Sequence, residues 1–273
     1  NLNAPAGEGI FRVECEFSHF SYDDPIVYPG NKGGSEQAHL HMYFGNTHTN
    51  AYSDYNSIIN TGGSTCNGHE LNRTAYWAPA VFDGQGNVLT PRRALIYYKS
   101  FGKQAGTTIP YPDNMQIVAQ STINTSSNDP NVASFQCENH YGGGDNQKQD
   151  TMPNCIGGTS SDGGQMLFEM NIKFPQCYSG KDPANYLQNF TVPMNHWWSG
   201  NCPASHPYAL PNLEFRIFYD IKPGENTADW FLSSDVDRAT GVKNPNRGAS
   251  IHADWFGGWN KEINAMWVAN CNN

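Results

Sequence analysis

Two histidines and a tyrosine alternate with apolar residues in the segment 38–46, AHLHMYFGN. In a β-strand, side chains two positions apart share a face. The pattern therefore predicts a strand with a buried apolar face, while His39, His41 and Tyr43 point together the other way. Imidazoles about 6.6 Å apart can meet one metal ion or one substrate group. His39 and His41 are candidate metal ligands, or a catalytic base and electrophile, and Tyr43 is a candidate substrate-binding residue.

Two further histidines occupy distinctive local settings. His206 lies in the segment 202–207, CPASHP, where a disulfide and two prolines would hold it rigidly, and His252 precedes Asp254 by two residues. We take both histidines as further ligands or as catalytic acid and base. Asp254 and Asp24 are candidate carboxylates that orient them, although Asp24 before Pro25 is also typical of a turn. The alternative is that all these histidines only hydrogen-bond buried loops.

Other catalytic signals in the chain are weak. The sequence has no GxSxG motif, and its glycine-rich stretches lack the Lys-Ser/Thr of a phosphate loop. Carboxylates are numerous, but sequence alone does not give the separation that defines a glycosidase pair. Tyr76, Trp77 and Trp255 are candidate platforms for stacking on sugar rings, and the alternative role for these aromatics is in the core.

Composition restricts the class of partner. The net charge is -9, only 15% of residues are charged, and the basic residues are not clustered. Nucleic-acid binding requires a basic footprint, so it is disfavoured. The sequence contains no run of 18 apolar residues, so no membrane-spanning helix is predicted. The expected partner is a polysaccharide or other glycan, and the expected state is a monomer.

Seven dispersed cysteines, none of them in a CxxC pair, favour disulfides and an oxidising, extracellular compartment. An odd number allows at most three intrachain bridges, so one thiol stays free or pairs outside the chain.

The hydrophobic pattern predicts an all-β protein. Alternation indicates strands over 11–17, 74–82 (interrupted at Pro79), 93–101, 115–120, 166–174 and 213–221. A short helix is expected over 53–59, capped by Ser53 and ended by Gly62, and another near 259–267. We predict a single domain over 1–273, an antiparallel β-sandwich or jelly roll with long disulfide-stapled loops.

Several ordered blocks resemble the secreted bacterial and fungal family named domain of unknown function 1996. They are FRVECEFSH (11–19), DDPIVYPG (23–30), HLHMYFGN (39–46), STC (64–66), NRTAYWAP (72–79), FPQC (174–177), CPASHP (202–207), LSSD (232–235) and HADWFGGW (252–259). The resemblance implies an extracellular protein of a kind often found beside carbohydrate-binding modules. It implies no reaction, but it favours His39, His41, His206, His252 and Asp254 as site residues.

One block departs from the family pattern. After the Phe-Pro-x-Cys block the family usually continues with Trp-Asp-Gly and then a histidine-rich run, whereas this chain reads CYSGKDPANY over 177–186. His196 is a candidate replacement for a lost histidine. If the missing run is catalytic in relatives, the activity of this protein is altered or lost.

Together these observations predict a secreted carbohydrate-active enzyme that cleaves a polysaccharide by hydrolysis or β-elimination, with one divalent metal ion as a candidate cofactor. The competing hypothesis is a non-catalytic extracellular protein that binds glycans or has a structural role. A secreted nuclease ranks third because of the net charge.

Overall fold

The computed structural model describes residues 9–30, 38–100, 108–119, 132–139, 147–159, 164–185, 190–191 and 202–272. The strands are β1 Ile10–Cys15, β2 Phe17–Ser21, β3 His41–Gly45, β4 Ala75–Pro79, β5 Val81–Phe82, β6 Arg93–Lys99, β7 Gln116–Ala119, β8 Ala133–Asn139, β9 Met166–Lys173, β10 Cys177–Tyr178, β11 Phe190–Thr191, β12 Tyr208–Ala209, β13 Asn212–Asp220, β14 Phe231–Leu232 and β15 Ala253–Phe256. The α-helices are α1 Tyr55–Asn60 and α2 Lys261–Trp267, with short 3-10 turns at His69–Leu71 and Ser233–Asp235 and a π-helical turn at Val268–Asn272.

Two five-stranded antiparallel sheets form the body of the protein. Sheet 1 has the strand order β1-β6-β13-β9-β8, and sheet 2 has the order β2-β3-β4-β15-β7. Their inner faces contribute to one hydrophobic cluster. Phe44 of sheet 2 packs edge-on against Phe215 of sheet 1 at 5.6 Å between ring centroids, and the Tyr76 and Tyr98 hydroxyls hydrogen-bond across the core at 2.6 Å. The prediction of an antiparallel all-β sandwich is confirmed.

The first predicted strand is in fact two strands. The alternating segment 11–17 divides at Glu16, so β1 joins sheet 1 while β2 joins sheet 2. Glu16 N–H leaves the ladder and donates to the Thr65 carbonyl at 3.0 Å. Alternation continues through the break, so the sequence pattern does not reveal that the chain changes sheets.

The first helix begins one residue later than expected. Asp54, rather than Ser53, caps α1: its carboxylate accepts from Ser57 N–H at 2.8 Å, and the Ser57 hydroxyl accepts from Asp54 N–H at 2.9 Å. This reciprocal pair satisfies two donors at the helix start. The helix ends at Asn60, and its C-cap is Thr61, one residue before the expected Gly62. The predicted C-terminal helix is confirmed as α2, which Asn260 caps.

Three disulfides join Cys15 to Cys66, Cys137 to Cys155 and Cys177 to Cys202, and Cys271 is a free thiol. The expectation of three bridges and one unpaired cysteine is therefore confirmed. Among the described residues, no helix is both long and apolar enough to cross a bilayer.

Candidate functional site

The site is built on the outer face of sheet 2. Cross-strand pairing aligns His19 with Tyr43, Tyr43 with Trp77, and Trp77 with Asp254, so these four residues form one row across β2, β3, β4 and β15. His41 lies two residues from Tyr43 on the same face. The face is buried, because Ile26 from the loop after β2 and Ile58 from α1 pack over Tyr43 and Trp77.

Three histidines converge at the end of this face. His39 lies just before β3 and His252 just before β15, while β4 separates the two strands. The ring centroids are 4.2 Å apart for His39 and His41, 4.8 Å for His39 and His252, and 5.9 Å for His41 and His252. One ligand nitrogen from each ring lies within 4.8 Å of the others. His41 is fully buried, and the other two are partly exposed.

Backbone carbonyls fix the tautomers of two of these imidazoles. His41 Nδ1 lies 3.1 Å from the Asp23 carbonyl oxygen, and His252 Nδ1 lies 2.8 Å from the Ser250 carbonyl oxygen. A carbonyl only accepts, so each Nδ1 must carry the proton and each Nε2 must carry a lone pair. Histidines that bind metal through Nε2 usually donate their Nδ1 proton to a carbonyl or carboxylate in this way.

The imidazoles are neutral. Burial is the largest cause, and it lowers the pKa of His41 to about 3 and that of His252 to about 4. Burial also lowers the pKa of His39 well below its usual value, and the neighbouring histidines and Arg238 lower it further. A neutral imidazole is the form that binds a metal ion.

Two carboxyl groups adjoin His41. Ligand atoms of Asp24, His41 and Asp254 all lie within 4.8 Å of one another. Asp24 Oδ1 accepts from Ile26 N–H at 3.0 Å and Val27 N–H at 2.9 Å, so the carboxyl group also closes its own turn. Burial raises the pKa of Asp24 to about 6, against the opposing effects of the two N–H groups and the adjacent Trp77 indole. Burial and the charge of Asp24 raise the pKa of Asp254 well above its usual value.

Several buried polar atoms in the described part of this cluster lack a hydrogen-bond partner. His39 Nε2, His41 Nε2 and both carboxyl oxygens of Asp254 are buried and have no hydrogen-bond partner there. Buried polar atoms are normally paired, and an unpaired one costs about 1–3 kcal/mol. Metal–nitrogen bonds of about 2.1 Å place tetrahedral ligands about 3.4 Å apart, so atoms within 4.8 Å need only small side-chain shifts. The residues present fit a transition-metal ion with three imidazole ligands.

A second layer of residues supports the histidines. Asp235, which is buried, accepts from the Ser250 hydroxyl at 2.6 Å, from Gly248 N–H at 2.7 Å and from Leu232 N–H at 2.9 Å. It thereby anchors Ser250, the residue whose carbonyl holds His252. On the other side, the Leu40 carbonyl accepts from the Ser233 hydroxyl at 2.6 Å, which fixes the approach to β3.

His206 does not join the cluster. Its Nδ1 lies 3.1 Å from the hydroxyl of Ser205 in the turn that follows Cys202, and it belongs to none of the described groups of converging ligands. The Cys177–Cys202 bridge restrains this turn next to β10 and β12. The structure therefore does not bring His206 together with His39, His41 and His252 in a group of converging ligands. His196 lies outside the described residues.

The predicted sugar platforms are core residues. Tyr43, Tyr76, Trp77 and Trp255 all have 0% exposure. Tyr76 and Trp255 point into the sandwich, where both reach the Tyr98 hydroxyl, while Tyr43 and Trp77 stack on each other at 5.3 Å under the loop after β2. A buried ring cannot stack on a polysaccharide, so these assignments are corrected.

A charged network that the sequence did not predict lies on the outer face of sheet 1. Arg216 donates to Glu169 at 2.7 Å and to Glu138 at 3.2 Å, and Lys99 pairs with Glu214. Glu169 and Glu214 are buried. The sequences of β9 and β13 contained a signal for this network, because charged residues of opposite sign alternate with the apolar residues of both strands.

The family comparison agrees with the resemblance noted from the sequence. A family model described as Domain of unknown function (DUF1996) matches residues 24–259, which include both aspartates and the three converging histidines. Comparison with curated proteins gives no significant match, and comparison with solved structures gives none either. Because the match covers well over half of the chain, the protein belongs to the DUF1996 family.

Proposed function

We propose that this protein is a secreted, metal-dependent enzyme that cleaves a polysaccharide, with His39, His41 and His252 as the metal ligands. The observation that carries the proposal is the convergence of three neutral imidazoles whose ligand nitrogens lie within 4.8 Å of one another. Two of them have their Nδ1 protons committed to backbone carbonyls. Three histidine ligands with one open position are typical of catalytic rather than structural zinc.

A metal ion held there would activate a water molecule or polarise an oxygen of the substrate. The residues around the metal would orient the reacting groups and exclude bulk water. Asp24 and Asp254 lie beside His41 in a buried setting, where a carboxyl group can hold a water molecule in position. His39 and His252 are the partly exposed members of the group of three histidines.

Three disulfides support the extracellular part of the proposal, because such bridges persist in oxidising compartments. The glycan part rests on the composition and on the family context. The reaction is hydrolysis or β-elimination, and the products distinguish them: hydrolysis creates new reducing ends only, whereas β-elimination from a uronate also creates an unsaturated end.

Elemental analysis tests the metal site directly. Purified protein should contain about one equivalent of a transition metal, and the His39→Ala, His41→Ala double variant should lose it. Because His41 is buried and its removal risks misfolding, His252→Gln provides a milder second variant. His69→Asn is the matched control, since His69 is exposed and its φ of 48° suits asparagine. Equal metal content in the wild type and both site variants would overturn the proposal.

A panel of polysaccharides tests the enzymatic part. Cleavage that a chelator abolishes and metal restores is the expected result. Binding to a glycan without new ends would instead favour the competing hypothesis of a non-catalytic binding protein. Burial of all four predicted aromatic platforms favours the structural form of that hypothesis, because it removes the surface first assigned to stacking on sugars.

A further inference from the structure

A polar groove adjoins the histidine site on sheet 2. It has a volume of about 620 Å³, within the range of ordinary ligand pockets. Its lining is rich in hydroxyl and amide groups, and includes Ser21, Thr47, Asn50, Ser53, Ser57 and Thr61. Such groups both donate and accept hydrogen bonds, as sugar hydroxyls do.

Two rings in the groove are arranged for contact with a sugar. Tyr52 lines it with 69% of its surface exposed. His19 also lines it, and stacks on buried Tyr43 at 4.8 Å with an interplanar angle of 2°. His19 Nε2 donates to the Thr49 carbonyl at 3.2 Å, and Nδ1 lies 2.9 Å from the Ser18 hydroxyl. The imidazole is thus held flat against Tyr43, and it forms a rigid polar wall.

Two residues of the groove wall, Ser21 and Asp23, also contact the histidine site. Asp23 lines the groove, and its carbonyl oxygen accepts from His41 Nδ1 at 3.1 Å and from Tyr43 hydroxyl at 2.6 Å. Ser21, another lining residue, pairs with His41 across β2 and β3. A chain lying in the groove would therefore contact residues that adjoin buried His41, while none of the three histidines is among the residues described as lining the groove.

The charge of the groove selects among glycans. None of the residues described as lining it is Lys or Arg, and Asp23 contributes an acidic side chain. A second cleft on the far side of Ser53 is likewise lined by Asp54 and Asp182 without a described basic residue. Arg238, near His39, donates to the Ala38 carbonyl and does not line either cleft. A uronate or sulfate would enter without a cation to neutralise it, at an energetic cost.

From this geometry we infer that the groove is the substrate-binding subsite and that it takes a neutral polysaccharide segment. The inference rests on the proposed function and narrows it. β-Elimination requires a carboxylate beside the carbon that loses its proton, so a neutral chain leaves hydrolysis. In that reaction water supplies a hydroxyl to the anomeric carbon and a proton to the departing oxygen, and the glycosidic bond breaks.

Calorimetric titration with neutral oligosaccharides (β-gluco-, xylo- and chito-hexamers) and with acidic ones (oligogalacturonate, oligomannuronate) tests the inference. The protein carrying His252→Gln is used so that turnover does not interfere. At least one neutral series should bind, Tyr52→Ala should weaken it at least tenfold, and Tyr52→Phe should restore most of the affinity. Tyr208→Ala is the control, because Tyr208 is also an exposed tyrosine but lies on β12, outside the groove.

The outcomes separate the two proposals. Binding of acidic chains alone, unchanged binding by Tyr52→Ala, or no binding at all would overturn the groove inference while leaving the metal site standing. Absence of bound metal from the wild-type protein would overturn the proposed function. Neutral glycan binding that is sensitive to Tyr52 would in that case still support the groove as a binding site.

Discussion

His41 and Tyr43 donate to the same oxygen, the backbone carbonyl of Asp23, at 3.1 Å and 2.6 Å. A carbonyl has two lone pairs, so both bonds form together. The shared acceptor joins strand β3 to the loop that carries Asp24, and thereby sets the distance between the histidines and the carboxyl pair. The loop is thus part of the site as well as its cover.

Removing the tyrosine hydroxyl should loosen this junction. Tyr43→Phe keeps the ring that stacks on Trp77 but loses one hydrogen bond, while His41 still satisfies the carbonyl. We expect the free energy of unfolding to fall by about 1 kcal/mol, measured by urea denaturation. Tyr208→Phe is the control, since Tyr208 is 46% exposed and its hydroxyl can reach water. Equal losses in both variants would contradict a special role for the Asp23 junction.

The sequence predicted the location of the site because alternation carries a direct geometric meaning. His41 and Tyr43 do lie on one face of β3, and Asp254 lies on the same face of sheet 2. The convergence of His39 with His252 required the strand order β3-β4-β15, which brings together segments far apart in the chain. No local pattern encodes that order, so the pairing of these two histidines remained a question for the structure.

Exposure was the property that the sequence could not provide. Tyr76 and Trp77 are neighbours on β4 and point to opposite faces, and both faces are buried. An antiparallel strand with one solvated face would have left one ring accessible. The same assumption concealed the charged network on sheet 1, where Glu169 and Glu214 occupy an apparently solvent-facing set of positions yet are buried.

Asp235 is expected to influence the site through Ser250. In Asp235→Asn the amide keeps one acceptor oxygen, and its NH₂ group faces donors on the other side. These donors are either the Leu232 and Gly248 N–H groups, which both bond Oδ2 of Asp235, or the Ser250 N–H and hydroxyl, which both bond Oδ1. The displaced Ser250 carbonyl would orient His252 less well. We expect metal affinity to fall about tenfold, as is usual when a residue that positions a metal ligand is changed. Competition with a chromogenic chelator measures this affinity. Asp237→Asn is the matched control, because Asp237 bonds only within an exposed turn; a similar loss there would contradict the link.

His206→Ala should leave metal content and metal affinity unchanged, because His206 contacts Ser205 in its own turn and belongs to neither described group of converging ligands. The measurement is elemental analysis beside wild type and His252→Gln. A loss of metal comparable to that of His252→Gln would mean that the turn after Cys202 reaches the cluster, and it would reinstate the grouping expected from the sequence.

Glu214 should make stability depend on pH in the acidic range. Burial alone would raise its pKa, but Lys99 and Arg216 beside it lower the value to about 2 from 4.5. A depressed folded-state pKa gives stabilisation that is fully present above about pH 4.5 and is lost as the pH falls towards 2. The shift corresponds to a contribution on the order of 3 kcal/mol.

Glu214→Gln should therefore flatten the fall in unfolding free energy between pH 4.5 and pH 2, measured by urea denaturation at a series of pH values. The variant will also be less stable at neutral pH, because Lys99 and Arg216 lose a buried partner, so the comparison concerns the slope. Glu225→Gln, at an exposed position, should keep the wild-type slope. Parallel curves for all three proteins would show that the Glu214 carboxylate titrates normally, and that its ion pair with Lys99 contributes nothing to the acid sensitivity of the fold.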